Sequence, residues 1–121
     1  MKIRIKENSV RLRLTKIEVK SFLDFKEFSQ TTHFGNTIFQ YSLKVSHDCD
    51  GLNATFTDNE ICVYISPEWA EKWKADNEVG FSKTIQIGGH ILTLKVEKDF
   101  VCLDETDEDQ SDNYPNPRLI N

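Results

Sequence analysis

Apolar and polar residues alternate one by one through most of this chain, and a period of two is the signature of half-buried strands. Ile3 and Ile5 alternate with Lys2, Arg4 and Lys6. Val10, Leu12 and Leu14 alternate with Arg11 and Arg13. The polar stretch Glu7-Asn8-Ser9 joins the two runs, which predicts a hairpin with one aliphatic and one cationic face. Phe28 to Phe34 reads as a further strand, closed by a Gly35-Asn36 turn. Phe39, Tyr41, Leu43 and Val45 then alternate with Gln40, Ser42, Lys44 and Ser46. Leu52, Ala54 and Phe56 repeat the pattern up to an Asp58-Asn59 turn. Residues 60–65 are apolar on both sides, as expected of a strand central in its sheet. A strand from Phe81 to Ile87 meets Gly88-Gly89, a two-residue hairpin signal, and Leu92, Leu94 and Val96 form the core face of its return. Phe100 to Leu103 is a candidate for one more short strand.

Two segments break the alternation. Thr15 with Glu18 is a capping box, and Val19, Phe22 and Leu23 follow at i, i+3, i+4 spacing, which predicts a short helix over 16–23. Ser66-Pro67-Glu68 supplies an N-cap, a first-turn proline and an acid at the positive dipole end. The helix it opens is expected to run through Trp69, Trp73 and Ala75 to Asp76-Asn77.

About eight short strands and two short helices make an α+β domain, mainly antiparallel, curled into a sandwich or an open barrel. The 121 residues suit one such domain, placed at 1–103. Residues 104–121 change character: an acidic, proline-containing tail expected to pack on or near the domain. Solenoid-type repeats are not evident. No apolar run approaches the ~20 residues of a membrane span. The amino-terminal alternation lacks a signal peptide's apolar centre. Cys49, Cys62 and Cys102 form no C-x-x-C pair, so reduced thiols in a cytoplasm are the expectation.

The net charge of −5 hides an asymmetry. Residues 1–26 hold eight basic side chains against three acids, whereas 104–112 hold six acids and no base. The body without the tail is neutral, which argues against nucleic acid as a partner. Five of the cations, Lys2, Arg4, Lys6, Arg11 and Arg13, fall on one face of the first hairpin. Like charges opposite one another destabilise a sheet, so an anion is expected nearby. The candidates are scattered counter-ions, the acidic tail folded back, or an external anion.

Two stretches carry a resemblance. One is Met1-Lys-Ile-Arg-Ile-Lys6 with Asn8-Ser9, Arg11-Leu-Arg-Leu-Thr15 and Glu18-Val19. The other is Glu97-Lys-Asp-Phe-Val-Cys-Leu-Asp104 with Glu108-Asp109 and Asp112-Asn-Tyr-Pro-Asn-Pro117. Together they resemble a family of small bacterial proteins classed as a domain of unknown function. The resemblance implies a stand-alone cytoplasmic protein and carries no activity, ligand or catalytic residue.

Known chemistries fit poorly. Ser46-His47-Asp48-Cys49 holds the residue types of a hydrolase triad, but neighbours along an extended chain point apart. An EF-hand loop counted from Asp107 would need Gly and Glu where Asp112 and Arg118 stand. The three histidines and three cysteines lack zinc-ligand spacing. Gly88-Gly89 lies between strands, whereas a nucleotide loop joins strand to helix. No cofactor or metal is expected. Trp69 and Trp73, one turn apart, suit core packing or a partner surface. Tyr114 with Pro115 and Pro117 after it suits an aromatic groove or its own domain. The expected function is therefore a non-catalytic binding module. Its basic strand face would take a small anion or a protein partner, modulated by the acidic tail. An enzyme assembled from distant strands, for instance around His47, His90 or Asp99, and a docking subunit of a larger assembly are the alternatives.

Overall fold

The computed structural model describes residues 1–100 and Tyr114. Strands β1 (Lys2–Lys6) and β2 (Ser9–Leu14) lead into helix α1 (Lys16–Phe25), followed by β3 (Glu27–Phe34) and β4 (Thr37–Val45). The second half repeats the order: β5 (Leu52–Thr57), β6 (Glu60–Ile65), α2 (Pro67–Lys72), β7 (Gly80–Ile87) and β8 (His90–Lys98). Among the described residues these make two four-stranded sheets, β1-β2-β8-β7 and β3-β4-β6-β5, with no closed barrel. The eight strands and two helices expected up to residue 98 and the α+β class are present. Each sheet is mixed, however: its hairpins are antiparallel, but its central pair, β2–β8 or β4–β6, is parallel.

The two halves are related by an internal two-fold that the residue pattern conceals. Exchanging β1-β2-α1-β3-β4 for β5-β6-α2-β7-β8 maps one sheet order onto the other. The hydrogen bonds outside the ladders obey the same exchange. Thr93 N–H donates to Asn8 O at 3.0 Å and Gln40 N–H to Asn59 O at 3.0 Å. Asp99 N–H donates to Leu14 O at 2.8 Å and Ser46 N–H to Ile65 O at 2.9 Å. Lys98 N–H donates to Val79 O and Val45 N–H to Lys26 O, both at 2.9 Å. Each sheet thus combines the first hairpin of one half with the second hairpin of the other, so neither half can complete a sheet alone.

The helices start as their caps dictate. Thr15 and Glu18 form the reciprocal capping box, and Ser66 Oγ accepts from Trp69 N–H ahead of Pro67. Helix α1 ends where Lys26 turns left-handed (φ 64°) and donates its N–H to Phe22 O. Helix α2 stops at Lys72, short of the expected Asp76. There Trp73 N–H is shared between Trp69 O and Ala70 O, and i→i−3 bonds from Lys74 and Ala75 tighten the chain into turns.

Phe22 in α1 and Trp73, the C-cap of α2, occupy equivalent places after their N-caps and meet in the core, ring centroids 6.0 Å apart and edge to face. Around them pack Leu12, Leu14, Leu94 and Val96 from one sheet and Leu43, Leu52, Val63 and Ile65 from the other. The hairpin turns carry the left-handed residues that two-residue links require: Asp58 and Asn59 in one, Gly88 and Gly89 in another.

Candidate functional site: a cationic strand face

Residues paired across a sheet share a face, so the register settles what the outer side of β1-β2-β8-β7 carries. Arg4 lies opposite Arg11, Lys2 opposite Arg13 and Lys6 opposite Ser9. The parallel β2–β8 pair then sets Arg11 beside Lys95, Arg13 beside Glu97 and Ser9 beside Thr93. One row across the sheet reads Arg4, Arg11, Lys95, Ser82. Lys95 is a cation that hairpin patterning had no means of adding, because its neighbour is distant in sequence.

Glu97 is the acid within this array. Its Oε1 takes Arg11 Nε at 3.2 Å and Arg13 Nε at 3.5 Å. Lys2 Nζ faces the buried Asp99 Oδ2 at 3.3 Å, a charge contact without an aligned hydrogen bond at that oxygen. Arg4 and Lys6 form no ion pair with any described residue. Together with Glu7, Ser9 and Arg11 they line a surface cleft of about 350 Å³. Guanidinium forks and a hydroxyl around an open depression are the donors that a phosphate or carboxylate accepts from.

Tyr114 lies at the end of β8, an inner strand of this sheet. Phe100 bridges Tyr114 in parallel, their rings 5.8 Å apart, and Tyr114 N–H donates to Asp99 O at 2.8 Å. Lys98 Nζ stands 5.2 Å from the centre of the Tyr114 ring. Phe100 and Tyr114 thereby meet at the end of β8. The acidic residues 104–112, Cys102 and the expected strand beyond Phe100 lie outside the described residues.

The remaining candidates are dispersed. Trp73 is enclosed in the core, 1% exposed, with its indole N–H donating to Val79 O at 3.4 Å. Trp69 is half-buried and stacked on Phe81 at 5.1 Å, and its ring packs against Gly51, where a Cβ would come within 2.8 Å. His90 and Asp99 sit at opposite ends of β8, and His47 lies beside Leu23, Val45 and Pro67. The structure does not bring these three together. Cys49 donates to Tyr64 O at 3.6 Å, and burial raises the pKa of both its thiol and that of Cys62. Among the described residues no three His, Cys, Asp or Glu side chains form a metal-ligand group, and no helix is long and apolar enough to cross a membrane.

The fold and this face define a two-sheet α+β domain that displays a cation-rich strand surface. The chain belongs to a family of unknown function, DUF7009, which matches residues 1–118. It matches no curated protein and no solved structure.

Proposed function

We propose that this protein is a binding module whose outer β1-β2-β8 face accepts an anionic group. The observation that carries the reading is the Arg4–Arg11 pair. Two guanidinium-bearing residues stand directly opposite, flanked by Lys6 and Lys95, while Glu97 is engaged by Arg11 and Arg13. Like charges in such pairs repel, so an arriving anion both gains contacts and relieves that repulsion. In this reading the acidic segment 104–112 occupies the face at rest and a stronger anion displaces it. The hydrogen bond from Tyr114 N–H to Asp99 O supports it, because it anchors a residue just past the acidic segment beside the carboxylate that Lys2 faces. A bacterial cytoplasm is the setting we infer, and the separate free thiols Cys49 and Cys62 fit it.

The test is retention on phosphate and heparin resins. Arg4→Gln with Arg11→Gln should lose retention. Neutralising the six acids of 104–112 to their amides, with Tyr114 left in place, should raise it. Equal retention of all three proteins overturns the proposal.

A further inference from the structure

The internal two-fold supplies a comparison inside one molecule. It produces two equivalent clefts between the helices, one on each side of the Phe22–Trp73 contact. The first is lined by Leu23, Val45, His47, Pro67, Ala70 and Lys74 and measures about 220 Å³. The second, of about 340 Å³, is lined by Lys16, Val19, Lys20, Leu23, Trp73 and Tyr114, with Lys98 at its base. Val45 and Lys98 are equivalent residues: each is the last of its strand, each donates its N–H to the residue preceding the neighbouring hairpin, and each pairs with the last residue of β6 or β2. An aliphatic side chain therefore satisfies the fold at this place. In the second half the place holds a lysine, 5% exposed.

Burying an ammonium is costly unless it is compensated. Among the described residues Lys98 makes no ion pair with a carboxylate. Its Nζ donates to Ala75 O at 3.0 Å and faces the Tyr114 ring, and burial lowers its pKa against the opposing pull of Asp76 and Glu78. An ammonium has three donors, so these contacts leave capacity toward the cleft. Lys16, Lys20 and Lys74 add cations at the rim, against Asp24 and Asp76. Val19, Leu23, Trp73 and Tyr114 make the remaining wall apolar and aromatic.

We propose that the Lys98 cleft is a second binding site, distinct from the strand face, for a small organic anion with an aromatic body, an arylcarboxylate in chemical class. The carboxylate meets Lys98 and Lys20, and the ring lies against Tyr114 and the aliphatic Leu23. The amphipathic wall selects this class over inorganic phosphate, which would leave the apolar side unused.

The probe is 2-naphthoate, titrated into the full chain while amide shifts are followed. The expected shifts lie at residues 16–24, 73–76 and 98. Lys98→Val, which copies the twin cleft, should weaken binding roughly tenfold or more. Lys20→Gln, a surface change that leaves the core untouched, should weaken it several-fold, roughly in the range of one partly exposed charge contact. Arg4→Gln with Arg11→Gln should leave it unchanged, so failure of the strand-face reading and failure of this one are separable. Undiminished binding in a folded Lys98→Val, or shifts confined to another surface, overturns the proposal.

Discussion

Glu97→Gln isolates the charge balance on which the strand face depends. The substitution keeps the shape of the side chain and removes the counter-charge shared by Arg11 and Arg13. All three side chains are partly exposed, at 25%, 41% and 29% for Arg11, Arg13 and Glu97. Each lost ion pair is therefore worth only about 0.2–1 kcal/mol. The repulsion of Arg11 by Arg4 and Lys95, adjacent in the ladder, then goes unopposed and adds a similar amount. The expected loss is about 1–2 kcal/mol at low ionic strength, or about 4 °C in Tm per kcal/mol for a chain of this size. Two further results follow if charge is the cause. Raising salt toward 1 M, where the Debye length falls to about 3 Å, should erase most of the difference. Millimolar phosphate should restore stability and bind the variant more tightly than the parent. Thermal unfolding at low and high salt, with and without phosphate, reads all of this. An equal loss at both salt concentrations would refute the reasoning and make Glu97 a packing residue.

Three other outcomes are expected. Lys98 has a folded pKa below its unfolded value, so between the two the unfolded chain binds more protons and stability rises with pH. Denaturant midpoints from pH 7 upward should show that rise toward about pH 10.4, and Lys98→Met should abolish it. Thr15→Ala removes the hydroxyl that accepts from Glu18 N–H and should cost about 1 kcal/mol in urea unfolding. Finally, a thiol reagent at neutral pH should modify Cys62 only as fast as the protein unfolds, because the side chain is buried and burial raises its pKa.

Local chemistry was the legible part of this chain. Alternation located the strands, Thr15 and Ser66-Pro67 located the helices, and Asp58-Asn59 and Gly88-Gly89 located turns. What joins distant segments left no mark in the pattern. Nothing in residues 9–14 announces a parallel partner at 93–98, and that pairing is what sets Lys95 and Glu97 on the basic face. The duplication was equally hidden, because equivalent core positions hold different side chains: Val19 against Ala70, and Phe22 against Trp73. Trp69 and Trp73, one turn apart, read as one stripe, yet one is sealed in the core and the other stacks on Phe81. Lys98 continues the inward alternation of Leu92, Leu94 and Val96, and the β2–β8 register, which pairs it with Leu14, shows that it faces the helices.

An amide-resolved titration of the full chain with pyrophosphate confronts the anion-binding claim most squarely. Saturable shifts at Arg4, Lys6, Ser9, Arg11 and Lys95, weakening steeply as salt rises, are the predicted result. A flat titration, or shifts that leave these five residues unmoved, would contradict it.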